Sequence, residues 1–393
     1  MVTQHADAKH ASQRMTPNPM VNHHMHDSAI SLCYNAANIQ RRERDRMKAL
    51  VKHASGTGNV AVREVSLRPP DPDELLIKVK YCGICGTDLH IWADEFPNDP
   101  PVILGHEYCG TVVEVGDEVA ENWSIGDRVV GELHTDACGH CALCKAGQPN
   151  ICNKKRALGS RRDGAFCEYL TLPAWLAHRV PVGVSWEVAG LTEPFAITAH
   201  CLLERGRLTN ERAVLITGAA TIGLLSTIWC SRLGIERIIV AGTDLDAADR
   251  FPLAQRMGAT QLVNVQRESL SERIADLTHG QGVDAWIECS GAASAITSGL
   301  DLVKKQGKIV LIGLVGSATI SVPWNTLLWR ELDLVGCMSS PPSSWHTALA
   351  AEAKEAGKLR QLVSDILPLE AWQEGFERLR QGQAVKILID MED

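Results

Sequence analysis

The chain has 393 residues, 45% of them hydrophobic and 22% charged, which is enough apolar material for one large core or two and excludes a small disulfide-stapled module. Forty-seven acidic against 39 basic side chains leave a formal net charge of -8, and the field of such a surface repels phosphate backbones, so no nucleic-acid partner is expected. No apolar run approaches the roughly 18 to 20 residues that span a bilayer, so no membrane association is expected either. Thirteen cysteines form an odd set without a secretory signal pattern, and several stand at metal-ligand spacing, which points to a reducing, cytoplasmic setting.

Residues 1–46 carry five of the fourteen histidines and the charged run at 41–46 but no apolar periodicity, so a disordered extension is expected there. His23, His24 and His26 within it lack Cys or carboxylate partners at fixed spacing and read as bystanders. From Met47 the pattern is β-rich: residues 76–81 alternate apolar and polar side chains, and 111–115 end at Gly116, as half-buried strands do. From about Glu211, strand and helix patterns alternate (213–217, 222–233, 237–241, 249–257, 283–288, 296–305, 309–315), the mark of βαβ units on a parallel sheet. Two helical stretches, 343–356 and 369–380, and a closing strand at 385–389 are expected to pack back onto the first domain.

Cys138, Cys141, Cys144 and Cys152 form C-x2-C-x2-C-x7-C in a loop rich in Gly, Lys and Asn. Four thiolates so spaced close a tetrahedral shell and leave no open position, which suits a structural Zn2+. An iron-sulfur cluster is the rival, and a set of free core thiols is disfavoured because the segment is nearly devoid of apolar residues. A second, wider cluster joins Cys85 to the pair His106 and Glu107. A thiolate, an imidazole and a carboxylate make a mixed, incomplete shell that can hold Zn2+ and leave room for substrate. Taken singly, the same residues read as a core thiol, a turn histidine and a surface charge.

Gly105-His-Glu107 followed by Gly110 and Gly116, with Cys85 upstream and the four-cysteine lobe downstream, resembles the zinc-dependent medium-chain alcohol dehydrogenases over the whole length from Met47. Cys82-Gly-Ile-Cys-Gly-Thr-Asp88, the runs at 126–130 and 163–168, and Thr192-Glu-Pro194 look most like the polyol (sorbitol or iditol) and threonine dehydrogenase branch. The resemblance implies an α/β protein with a β-rich GroES-like catalytic domain at 47–205 (structural zinc lobe 131–153), a Rossmann doubly wound parallel-sheet domain at 206–341, and a return to the catalytic domain at 342–393. It further implies Cys85, His106 and Glu107 around a catalytic Zn2+, Glu193 as a direct or water-mediated ligand, Thr87 and His90 as carriers of the alcohol proton, and a homo-oligomer, dimer or tetramer.

Residues 214–218 read as a buried strand running into a βα turn, where a dinucleotide pyrophosphate rests on a helix N-terminus. The G-x-G-x-x-G fingerprint is filled by Gly218, Ala220 and Gly223, with Thr221 and Ile222 opening the helix, so alanine replaces the middle glycine. After the next strand the count places Gly242 where an acid normally holds the ribose. Asp244, Asp246 and Asp249 precede the first cation, Arg250, which favours NAD over NADP. Zinc, a dinucleotide and an open coordination position imply oxidation of a small-molecule alcohol to a ketone. A secondary alcohol of a polyol, sugar or sugar acid is the expected substrate. L-threonine 3-dehydrogenase is the nearest rival, an inactive dehydrogenase-like binding protein is a reading of another class, and the two zinc clusters disfavour a metal-free quinone reductase.

Overall fold

The computed structural model describes residues 46–316 and 319–392. The expectation for residues 1–46 falls outside these, except that Arg46 opens the first strand. A seven-stranded sheet runs Ala177–Arg179, Arg128–Gly131, Glu107–Val115, Glu74–Gly83, Lys386–Asp390, Val363–Pro368, with Tyr169–Pro173 also paired to Glu74–Gly83. The expected 76–81 strand lies inside Glu74–Gly83, where Ile77 and Val79 are buried while Lys78 and Lys80 stay partly exposed. The closing strand lies antiparallel to this central strand, Leu388 opposite Gly83 and Asp390 opposite Tyr81. Residues from the end of the chain thereby floor a site begun some 300 positions earlier.

The second sheet has six strands in the order Gln261–Asn264, Arg237–Gly242, Ala213–Thr217, Val283–Glu288, Val303–Leu311, Asp333–Gly336, and every pairing in it is parallel. Ala213–Thr217 is buried along its whole length, as a continuous apolar run must be when helices cover both faces. Helix α1 spans Gly86–Trp92, α2 Thr192–Ala199, α3 Thr221–Arg232 and α4 Pro342–Arg360. Trp229 of α3 stacks on Phe195 of α2 with centroids 4.4 Å apart, and its indole N–H donates to Thr198 Oγ1 at 3.1 Å. With α4 packed against α2 as well, the helix that carries Glu193 is clamped between neighbours rather than free to tilt.

Candidate active site and metal centres

Cys85 is the N-cap of α1, and its backbone N–H donates to Asp88 Oδ2 at 2.8 Å. Asp88 is fully buried; its other oxygen accepts the Gly105 N–H at 3.3 Å and stands 3.7 Å from His106 Nδ1. One carboxylate therefore ties together, through the Cys85 and Gly105 N–H groups, the two loops that deliver Cys85 and His106, and it lies close to the His106 ring. Gly105 has φ +88°, and a Cβ there would come within 2.7 Å of the Phe166 ring, so the turn before His106 needs glycine. The ligand atoms of Cys85, His106 and Glu107 all lie within 4.8 Å of one another.

Glu193, the second residue of α2, is buried and faces the same cavity. Burial, and then the neighbouring Glu107 carboxylate, push its pKa up to about 8. Burial and Glu107 likewise hold the Cys85 thiol well above its ordinary range. Lys386 is the cation of the group: 3% exposed, it donates to Ile84 O at 2.9 Å and to Glu107 Oε2. Burial lowers its pKa, but Glu107 and Cys85 outweigh that and carry it above the usual lysine value. Two glutamates, a thiol and Asp88 against one buried ammonium make a donor set rich in acidic groups, and a divalent cation fits it because its charge offsets the cost of burying anionic donors together.

In the cysteine lobe, Sγ of Cys152 lies 3.7 Å from that of Cys138 and 3.9 Å from that of Cys141. A tetrahedron with bonds of about 2.3 Å has edges of about 3.8 Å, so the spacing matches zinc thiolate geometry. Backbone N–H groups of Cys138 and Lys154 donate to Cys152 Sγ at 3.4 Å each and bring its pKa down to about 6, which favours the thiolate a metal needs. His140, exposed between two of these residues, turns its ring to the Cys138 carbonyl.

The turn after Ala213–Thr217 has Gly218 at φ +92°, and a Cβ on Gly223 would sit 1.8 Å from Gly218 O. The first and last glycines of the fingerprint are thus sterically required, whereas the middle position, Ala220, is exposed and tolerates its methyl. The Thr221 hydroxyl donates to Val385 O at 2.7 Å, which locks α3 to the C-terminal segment. Asp244 Oδ1 accepts from Asn264 at 2.7 Å and from Arg267 at 2.6 Å. Arg267 is a cation that the charge pattern of residues 237–250 omits, because it arrives from beyond the next strand. Asp246 accepts from Thr243 N–H and Arg250, and its carboxylate lies beside Gly242 where a side chain would otherwise go. Arg250 also donates to Ala384 O at 2.9 Å, so it serves as a brace.

One cavity of about 420 Å³ brings together Cys85, Thr87, His90, His106, Glu107 and Glu193. It extends to Ile222, Cys289, Ser290, Gly313 and Leu314 at the carboxyl ends of the parallel strands, the crevice in which open α/β sheets bind dinucleotides. Gly218, Ala220, Thr221, Gly223, Asp244 and Arg250 do not line it. Sequence reasoning missed Asp88, Lys386, Ser290, His134 and Lys155. Asp88 stood in the quoted motif, three residues after Cys85, where an acid caps the helix; the others had no local signal.

The alcohol dehydrogenase GroES-like domain family matches residues 71–182 and the zinc-binding dehydrogenase family matches residues 221–354. The chain belongs to the zinc-dependent medium-chain dehydrogenase family. It is 33% identical over 343 residues to a sorbitol dehydrogenase of Halalkalibacterium halodurans, covering 87% of this chain and 99% of that one. It is 34% identical over 322 residues to an L-threonine 3-dehydrogenase of Shewanella woodyi, covering 81% and 92%. A crystal structure from Sinorhizobium meliloti 1021, described as a zinc-binding dehydrogenase bound to NADP, superposes with TM-score 0.80 at 32% identity, covering 88% of this chain and 99% of that one. This chain is accordingly a zinc-type, NAD(P)-dependent oxidoreductase of the alcohol dehydrogenase class.

Proposed function

We propose that the protein oxidises a secondary alcohol of a polyol, sugar or sugar acid to a ketone, with one Zn2+ held by Cys85, His106 and Glu107, assisted by Glu193, and a second by Cys138, Cys141, Cys144 and Cys152. The observation that carries this reading is the convergence of the mixed donor set and the sheet crevice on one cavity. When bound, zinc supplies Lewis acidity at the substrate hydroxyl and the nicotinamide accepts hydride. Thr87, whose hydroxyl is 3.8 Å from Cys85 Sγ, would accept the alcohol proton while releasing its own hydroxyl proton toward His90. His90, on the same cavity wall and partly solvent-exposed, passes it outward, its Nδ1 fixed by Glu95 at 2.9 Å. Lys386 donates to the Glu107 carboxylate and holds it in place.

The domain division at about residues 205 and 341 follows the change from one sheet to the other and back. NAD is the proposed coenzyme. Asp244 and Asp246 put two carboxylates at the strand end, and the nearby cations Arg267 and Arg250 are already paired to them. NADP use would require Arg267 to leave Asp244. A homodimer through the Asp333–Gly336 edge is proposed because that strand lies at the sheet edge, with Leu334, Trp324, Leu328 and Trp329 all exposed. Among the described residues no helix is long and apolar enough to cross a membrane. The twelve described cysteines are all unpaired, which supports a reducing, cytoplasmic setting. L-threonine 3-dehydrogenase activity is the second reading, supported by the relatives at 34% identity.

Metal analysis together with coenzyme-dependent absorbance on polyols, aldonates and threonine tests the proposal. Two zinc ions per chain are expected in the parent. Cys85→Ala should lose activity with its fold kept, Cys144→Ser should lose thermal stability first, and kcat/KM should be higher with NAD than with NADP. A zinc-free active enzyme would overturn the assignment.

A further inference from the structure

Besides the metal ligand Cys85, three thiols line the cavity: Cys201, Cys289 and Cys337. Cys201 lies just beyond α2, in the π-helical turn His200–Arg205 that continues the helix carrying Glu193. Cys337 follows Asp333–Gly336, the edge strand of the parallel sheet. The backbone is pinned on either side of Cys337: the Arg205 guanidinium donates to Gly336 O at 3.4 Å, and the Asn150 side-chain amide donates to Met338 O at 3.0 Å. Between these anchors Cys337 Sγ lies 3.9 Å from the Cys201 carbonyl oxygen, and the two thiols hydrogen-bond to each other. Both are free in this structure.

The two sulfurs are unlike. Cys201 is 1% exposed, and its hydrogen bond to Cys337, then burial, hold it well above the ordinary thiol range. Cys337 is half-buried, and the Cys201 hydrogen bond, helped by the Arg205 charge, brings its pKa down against the opposing effect of burial. Burial and the Glu288 carboxylate raise Cys289 instead. A reachable sulfur with thiolate character beside a buried, protonated one is the arrangement of an attacking and a resolving cysteine.

We propose that Cys201 and Cys337 are a redox modification site: a hydroperoxide entering the cavity oxidises Cys337, and Cys201 resolves it into a reversible disulfide that slows turnover. The Cys337 thiolate attacks one peroxide oxygen, the O–O bond breaks, and the leaving hydroxide takes up a proton as water. The Cys201 sulfur then attacks the sulfenic sulfur; the S–S bond forms, the S–O bond breaks, and the oxygen departs as a second water with the Cys201 proton. Two thiols are oxidised and one peroxide is reduced. The bond draws the sulfurs to about 2.05 Å, so the pull falls on the helical run that carries Glu193 and on the strand end at the cavity wall. A misplacement of about 1 Å near a reacting centre can cost about 100-fold in rate. Transient disulfides of this sensing kind are the ones a reducing compartment allows. The slowed turnover rests on the proposed dehydrogenase reading; the disulfide does not.

The test treats the full-length, zinc-loaded enzyme with a small molar excess of hydrogen peroxide, blocks remaining thiols with N-ethylmaleimide, and maps unreduced peptides by mass spectrometry. A peptide linking Cys201 to Cys337 is expected, with zinc content held at two. Turnover on whichever alcohol the parent oxidises should fall by about tenfold or more and return with dithiothreitol. Cys337→Ser should form no such peptide and lose less than about twofold of its own untreated rate at the same dose. In Cys201→Ala, which lacks the resolving sulfur, Cys337 should stop as a sulfenic acid that dimedone traps. A map without the Cys201–Cys337 link, or with Cys337 joined to Cys289, overturns the inference. So does a link that forms while the rate is unchanged, or a Cys337→Ser variant inactivated as fully as the parent, since the loss would then lie elsewhere. If no alcohol is oxidised, the dehydrogenase reading fails and the peptide map still decides the pairing. If Cys337→Ser does not fold, the parent map and dimedone trapping in Cys201→Ala decide.

Discussion

Replacing Lys386 by methionine keeps the stem of the side chain and removes the charge that faces Glu107. Both partners are nearly inaccessible to water, with side-chain exposures of 3% and 2%, so the variant leaves a carboxylate buried without its cation. Breaking such a pair costs about 3–5 kcal/mol, and at roughly 2 °C per kcal/mol for a chain of this size the metal-stripped protein should melt about 6–10 °C lower than the metal-stripped parent. Zinc changes the outcome. A divalent ion held by Cys85, His106 and Glu107 supplies the lost positive charge, and the ammonium no longer competes for the same carboxylate oxygen. Zinc should therefore bind the variant more tightly relative to its apo form and recover at least half of the lost melting temperature. The cysteine lobe contributes equally in both proteins, so the difference between the two zinc-induced shifts isolates the Glu107 site. Differential scanning fluorimetry on stripped and reloaded parent and variant gives the four numbers. Zinc-induced shifts equal within a degree would refute the argument, because the lysine would then be unrelated to the metal's place.

Gly223→Ala should cost several kcal/mol and abolish saturable coenzyme binding by fluorescence, since the added Cβ would fall 1.8 Å from the Gly218 carbonyl oxygen. A variant with unchanged affinity for NADH would show that the turn can open without penalty. Glu352, on the buried face of α4, has both carboxylate oxygens without hydrogen-bond partners, and burial pushes its pKa from 4.5 up to about 8. The unfolded chain releases this proton near pH 4.5 and the folded one retains it to about 8, so the unfolding free energy should fall as pH rises across that interval. Glu352→Gln should flatten this slope in denaturant titrations and raise stability at pH 8 by a few kcal/mol; an unchanged slope would mean that the carboxyl is solvated.

What could be read from the chain divides by the range of the interaction. The cysteine lobe was legible because four ligands within 15 positions form a tetrahedron almost whatever the rest of the chain does. The parallel sheet was legible from apolar runs such as Ala213–Thr217, and the turn glycines from a pattern whose steric basis is local. Cys85 and His106 needed the resemblance to join them, since 21 positions separate residues that read singly as ordinary. Lys386 had no local signal at all: it meets Glu107 across 279 positions only because the closing strand pairs with Tyr81–Gly83. The coenzyme loop shows the same limit from the other side. Counting charges between residues 237 and 250 finds acids and no cation before Arg250, yet Arg267 sits 2.6 Å from Asp244 because Gln261–Asn264 runs beside Arg237–Gly242 in the sheet. A charge count along a window measures the field only where the chain is its own nearest neighbour, and in a parallel sheet the nearest neighbour is a strand some twenty residues away. The loop acids therefore favour NAD only to the extent that Arg267 stays paired with Asp244, and Arg267→Ala separates the two contributions. It should lower any residual NADP activity while leaving kcat/KM with NAD largely intact. A loss of NAD activity equal to the loss with NADP would show that the pair supports the loop and does not select the coenzyme.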